Sequence, residues 1–184
     1  MDASSVLRLI NAYHAPDEET KIFAQHTHAL IEHSPNTFWK RNFFTPGHIT
    51  ASAWVVNPER THTLLIHHKG AQQWFQPGGH VEAEDSSLCA AVLREVKEET
   101  GHEGRVLRDA IFDIDVHPIR ARSERSEPEH THFDIRLLVE VPFETNVVSD
   151  DGILGIRWVL LDEVVHISTA KSLLRMVSLT KTLG

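Results

Sequence analysis

GGHVEAEDSSLCAAVLREVKEETG, residues 78–101, opens on a glycine pair, closes on a glycine, and has helical periodicity in between. The spacing predicts a helix from about Ser87 to Thr100, with Asp85 or Ser86 available as its cap and Gly101 ending it. At about 100° per residue, Leu88, Cys89, Val92, Leu93 and Val96 gather into a stripe expected to be buried. Glu95, Glu98 and Glu99 fall at the edge of that stripe. These acids stand at i, i+3 and i+4, where each like-charge pair costs on the order of 0.2–0.5 kcal/mol, and they crowd toward the negative end of the helix dipole. A helix selected for its own stability would carry lysines there. Local rules broken in one place, while capping and core pattern obey them, point to a functional site. Hard oxygen donors converging at one edge suit Mg²⁺ or Mn²⁺. An acidic face interleaved with Arg94 and Lys97 is ordinarily solvated surface, so the helix alone does not decide. Gly78-Gly79 lets backbone groups approach a ligand without a Cβ in the way, and the bend and the helix together define one pocket.

Working outward, ITASAWVVN from Ile49 and THTLLIHH from Thr61 have the β-branched and aromatic character of strands, with Asn57-Pro58-Glu59-Arg60 as the turn of an adjacent pair. A loop is expected over Lys69 to Gln76. After the central helix, AIFDIDVHPI, HFDIRLLVEV and GIRWVLL are further strands, and residues 168 to 182 are a last helix. Arg120 to Glu129, charged and poor in apolar residues, is a long loop. Toward the N-terminus, residues 5 to 13 and 16 to 34 are two helices, the second opened by Pro16 and acidic in its first turn. The apolar stripe expected on the second is Ile22, Phe23, His26, Ala29, Leu30 and His33. Strands mixed with flanking helices imply an α/β sandwich. No repeat or linker divides residues 1–184, so one domain is expected, with 1–45 as a helical N-terminal extension packed on it.

Charge narrows the partners. With 18 Lys and Arg against 26 Asp and Glu, the formal net charge is −8. That argues against a nucleic-acid track, although Arg120, Arg122 and Arg125 could hold a few phosphates. The lone Cys89 offers no internal disulfide. No stretch approaches the ~20 apolar residues of a membrane span, and a cytoplasmic protein is expected.

The segment 78–101 resembles the Nudix box, whose pattern is a glycine, five residues, Glu, seven residues, then Arg-Glu-apolar-x-Glu-Glu-x-Gly-apolar. Gly79, Arg94, Glu95, Val96, Glu98, Glu99 and Gly101 match it, and the Trp74-x-x-Pro77-Gly78-Gly79-x-x-Glu82 lead-in is similar too. There are three departures. Asp85 stands in place of Glu, eight residues rather than seven separate it from Arg94, and His102 replaces the final apolar residue. The extra residue leaves the spacing from Glu95 to Glu99 untouched and leaves open how Asp85 meets Arg94.

The resemblance implies an α/β/α sandwich with a mixed sheet and a divalent-metal-dependent hydrolase that cleaves a diphosphate bond in a small nucleotide-like substrate. It implies Glu95, Glu98 and Glu99 as metal ligands and catalytic residues, with the Gly78 carbonyl as a further ligand. Arg94 would orient the glutamates, paired with Asp85 or Glu82. A further carboxylate from outside the box is expected among Glu124, Glu127, Glu129, Asp134, Asp150 and Asp151. The alternatives are a non-catalytic sensor that binds a nucleotide or metabolite on the same fold, and a hydrolase of RNA ends. The N-terminal helices could serve as a homodimer surface, a lid or packing.

Histidines supply the remaining candidates. His130-x-His132-x-Asp134 opens a strand, and a period of two aims all three at one face, where phosphate or an additional metal could meet them. The bland alternative is chance, in a chain with 14 histidines. His80, inside the glycine bend, is a candidate for substrate contact together with Glu82, whereas His67, His68 and His117 are expected at strand-end surfaces. Cys89 is expected in the helix core.

Overall fold

A computed structural model describes residues 1–123, 126–144 and 152–183. Its centre is β1, Gly47–Val56, whose ten residues are all buried. Alternation along the strand sorts them. Ile49, Ala51, Ala53 and Val55 join one hydrophobic cluster, and Trp54 and Val56 join another on the opposite face.

Six strands arrange themselves around this one. Strand β6, His130–Glu140, runs parallel to β1 along its full length, from Gly47↔Thr131 to Val56↔Glu140. Strand β5, Arg105–Ile119, is antiparallel to β6. On the other side β1 is shared by two partners: β4, Gly78–His80, at Thr50 to Ser52, and β2, His62–His68, at Val56↔Thr63. Strand β2 also pairs with β3, Gln73–Phe75, and β7, Ile153–Leu160. The expected turn joins β1 to β2: Asn57 Oδ1 accepts the amides of Thr61 and His62 at 2.9 and 2.8 Å. Strand β3 falls within the loop expected over Lys69 to Gln76 and β4 on the glycine bend after it, because three residues are too few to display a period.

Helices cover both faces. Against one lie α1, Ala3–Asn11, α2, Glu18–His33, and α3, Leu88–Thr100, which contribute Val6, Ile10, Leu30, Ile31, Val92 and Val96 to the first cluster. Against the other lie α4, Val164–Ile167, and α5, Lys171–Lys181, with Leu173, Met176 and Val177 packed on Trp54, Leu65 and Leu138. The expected α/β/α sandwich with a mixed sheet and N-terminal helices is what the chain forms. Both α1 and α2 pack against β5.

The buried face of α2 differs from the expected stripe. It consists of Thr20, Thr27, Leu30 and Ile31, while Ile22 is 46% exposed and His26, Ala29 and His33 face outward. Thr27 donates its hydroxyl to the Phe23 carbonyl at 2.8 Å, so a residue that counts as polar in the sequence is satisfied inside its own helix and can be buried. Among the described residues no helix is long and apolar enough to cross a membrane.

Candidate active site

Helix α3 is capped by Ser87, whose hydroxyl accepts the Ala90 amide at 3.1 Å, and it ends on Gly101 at φ 73°. The cap is therefore Ser87, not Asp85 or Ser86, and the reason is that Asp85 is engaged elsewhere. The buried residues of α3 are Leu88, Ala91, Val92, Glu95, Val96 and Thr100. Cys89 and Leu93 sit half-buried at the margin, so the buried stripe is rotated toward Glu95, which is only 8% exposed.

Arg94 is the hub. Its guanidinium donates to both oxygens of Asp85 (3.1 and 2.9 Å), to Glu95 Oε1 (2.9 Å), to Glu98 Oε2 (3.0 Å) and to the His80 carbonyl (2.9 Å). Asp85, not Glu82, is its paired carboxylate, and the Glu82 amide donates to Asp85 at 2.8 Å. The extra residue before the helix thus leaves the Asp85 to Arg94 pair intact, in the bidentate form that fixes orientation as well as charge. The Asp85 bonds hold the Arg94 pKa above its ordinary value. Burial pushes the Asp85 carboxyl up, but the Arg94 bonds and the Glu82 amide outweigh it and leave it lowered.

The glycine bend presses on this cluster. Gly78 donates its amide to Glu99 Oε2 at 2.8 Å. A Cβ on Gly79 would stand 2.6 Å from Glu95 Oε1, and one on Gly78, at φ 155°, would stand 2.6 Å from Ser52 Cα. Only glycines fit where backbone and carboxylates are this close. Burial, aided by the charges of Glu98 and Glu82, outweighs Arg94 and raises Glu95 to about 7. A buried carboxylate so short of positive charge, with two more beside it on the same turn, has the donor chemistry of a hard divalent cation site. Glu95, Glu98, Glu99 and the Gly78 main chain are the residues that could hold one.

On the other face of β4, His80 meets a second group of polar residues. Its ring lies 5.1 Å, centroid to centroid, from His48 and from His132, and His130 lies 5.0 Å from His132. Burial, with the Arg41 charge, lowers His80 to about 3, and burial with its imidazole neighbours lowers His132 to about 2. Asp134 follows at 3% exposure with both oxygens engaged. Oδ1 accepts Thr50 and Ser52 at 2.9 and 2.8 Å, and Oδ2 accepts Arg136 and Gln76 at 2.8 and 3.3 Å.

The sequence pattern of the NUDIX domain matches residues 46–179. The chain belongs to the Nudix family. A "Probable DHNTP pyrophosphohydrolase" of Lactococcus lactis subsp. cremoris is 31% identical over 93 residues, 50% of this chain and 54% of the relative, so the chain spans about half the length of the curated relative it matches. A Nudix-family hydrolase from Clostridium perfringens superposes with a TM-score of 0.55 at 19% identity, over 74% of this chain and 98% of that one. A UDP-X diphosphatase superposes with a TM-score of 0.52 at 13% identity, over 97% of this chain and 91% of that one. This second likeness extends through α1 and α2.

The Nudix helix brings Glu95, Glu98, Glu99 and Arg94 together with Gly78, while Glu82 lies exposed beside them. His80, His130 and His132 gather on the opposite face of β4, with His117 next to them at 5.8 Å from His132 and bonded to Asp115. His67 stacks on Trp74 instead. Sequence reasoning passed over His48, which precedes the recognisable β1 pattern, and the signal that would have found it is the parallel register His48↔His132. Among the candidate outer carboxylates, Glu127 pairs with Arg41 at 2.7 Å. Glu124, Asp150 and Asp151, like Arg125, lie outside the described residues.

Proposed function

We propose that this chain is a divalent-metal-dependent hydrolase that cleaves the diphosphate bond of a nucleoside diphosphate-linked or related organic pyrophosphate. One observation carries the reading: a single guanidinium holds Glu95 and Glu98, while the Gly78 amide holds Glu99, so three carboxylates are fixed at one glycine bend. Preorganised groups of this kind act on charge that develops in a transition state without reorganising.

Glu95, Glu98, Glu99 and the Gly78 carbonyl would hold Mg²⁺ or Mn²⁺, which when bound would neutralise phosphate charge and lower the pKa of an attacking water. The chain's own residues do the rest. Arg94 keeps the glutamates oriented and compensates their mutual repulsion. Glu98 and Glu99 are the candidates to take the proton from water, and Glu95, buried against Gly79, is the fixed ligand. Glu82, exposed beside the bend, is the substrate-contact candidate on the glutamate side, whereas the His80 ring turns to the histidines across β4. Asp134, with all its bonds made, acts by positioning Thr50, Ser52 and Arg136. The net charge of −8 favours a small diphosphate over a nucleic acid. The similarity to a probable DHNTP pyrophosphohydrolase points the same way.

Phosphate release over a panel of nucleoside diphosphate derivatives, with Mg²⁺ or Mn²⁺ and with EDTA as control, tests the reading. Glu98→Gln and Glu99→Gln are expected to stay folded, and the variant lacking the base to lose about 10²–10⁴-fold in rate. Full activity in both would refute the assignment. Tight binding of one panel member without turnover would favour the sensor.

A further inference from the structure

The imidazoles on the far side of β4 are arranged as donors. His48 on β1 and His130 and His132 on β6 each present one ring nitrogen, and the three nitrogens lie within 4.8 Å of one another. Among the described residues they are the one group of three His, Cys, Asp or Glu side chains that converges so closely. The parallel register His48↔His132 sets two of them side by side, and the two-residue period brings His130 to the same face.

In two of the three rings the other nitrogen is already committed. His48 Nδ1 lies 3.1 Å from the Phe43 carbonyl oxygen, and His130 Nδ1 lies 2.8 Å from that of Pro128. A carbonyl oxygen only accepts, so both rings carry their proton on Nδ1 and offer a bare Nε2. Such outer bonds fix the tautomer and orientation of metal-ligating histidines. His48 is 0% exposed, and its buried Nε2 has no hydrogen-bond partner. An acceptor stranded in this way costs about 1–3 kcal/mol, and a ligand would answer it. His130 Nε2 and His132 Nε2 are 3.2 Å apart, against the ~3.3 Å between neighbouring donors of a tetrahedral ion with bonds of about 2.0–2.1 Å.

We propose that His48, His130 and His132 form a tri-imidazole site for a borderline divalent transition-metal ion of the Zn²⁺ class, separate from the glutamate cluster on α3. The donor set makes the distinction. Nitrogen ligands suit Zn²⁺, Co²⁺ or Ni²⁺, whereas Mg²⁺ and Mn²⁺ prefer oxygen, and Asp134, the acid next along the same face, has no oxygen to spare. In the metal-free protein His132 donates to His130, and on loading its proton moves to Nδ1 so that both Nε2 atoms face the ion. The ion would tie β1 to β6 where their histidines stand side by side. This site stands whether or not the chain is a hydrolase.

Co²⁺ titration of the EDTA-treated full chain in excess Mg²⁺, followed by visible d–d absorption, is the direct test. One equivalent of Co²⁺ is expected to give tetrahedral bands in the wild type and equally in Glu98→Gln, and Zn²⁺ is expected to displace it. His132→Ala and His130→Ala are expected to lose the bands while keeping their circular dichroism. No Co²⁺ signal in the wild type under excess Mg²⁺ would overturn the proposal. So would bands that vanish in Glu98→Gln and survive in folded His132→Ala. Should the histidine variants fail to fold, the wild-type Co²⁺ protein decides. Proton NMR should show hyperfine-shifted imidazole N–H resonances that disappear in D₂O, including those of His48 and His130, and their absence would sink the assignment.

Discussion

Glu95 is a residue under tension. Its carboxyl touches Arg94 yet is raised to about 7, because it is buried with Glu98 and Glu82 nearby. A carboxyl raised in the folded protein prefers to be protonated there, so its favourable share of stability is complete below the unfolded pKa near 4.5 and is lost as pH rises through 7. In EDTA-treated protein, urea midpoints should therefore fall between about pH 4.5 and pH 7.5. Glu95→Gln should remove from that slope a part on the order of 3 kcal/mol. Coinciding profiles for wild type and variant would show that the carboxyl is not perturbed. At this scale the sequence was informative about kinds and less so about partners. The like charges at 95, 98 and 99 announced a site, but whether Arg94 met Asp85 or Glu82 turned on how the chain folds between 82 and 87, and no spacing rule fixes that.

Among the elements, α3 shows what pattern can and cannot deliver. Its period and its closing Gly101 were legible, whereas the cap lies one or two residues beyond the expected Asp85 or Ser86, and Asp85, a good capper by type, is drawn away by a guanidinium nine positions on. Ser87→Ala should lower stability by about 1 kcal/mol, while Ser86→Ala stays within about 0.5 kcal/mol. Gly101→Ala, forced to φ near 73°, should cost about 1–2 kcal/mol. Chemical denaturation of the three variants would check all of this, and a larger loss for Ser86→Ala would contradict the assigned cap. The short β3 and β4 and the buried threonine face of α2 were beyond reach for a related reason. Each depends on a neighbour that periodicity does not contain: a pairing partner for the strands, a self-made hydrogen bond for Thr27.

Across the whole molecule, the β5 to α5 interface carries a buried ionic layer. Arg136 bonds Asp113, Asp115 and Asp134, and Arg175 reaches from α5 to Asp113 and Asp115. Burial would raise Asp115, but the His117 bond and the two guanidiniums prevail and hold it at about 2. The sign is opposite to that of Glu95: this carboxylate adds stability above its unfolded pKa near 3.8, and the contribution disappears as pH falls toward 2. Asp115→Asn should be less stable than wild type by about 2 kcal/mol at pH 7, and thermal unfolding should bring the two together near pH 2. A constant gap down to that pH would place the stabilisation elsewhere. No single segment predicted this layer, because its charges come from three elements far apart in sequence.

Strand β4 is three residues long, and its last two positions look to very different neighbours. Gly79 abuts a glutamate, and the next residue turns its carbonyl to Arg94 while its ring joins the histidines. Oxygen-rich and nitrogen-rich compartments are thus separated by the thickness of one peptide, with a single Cα serving both. A tug on either compartment has no slack to absorb it before it reaches the other. An inhibitor wedged among the imidazoles would therefore be felt by the guanidinium without touching it.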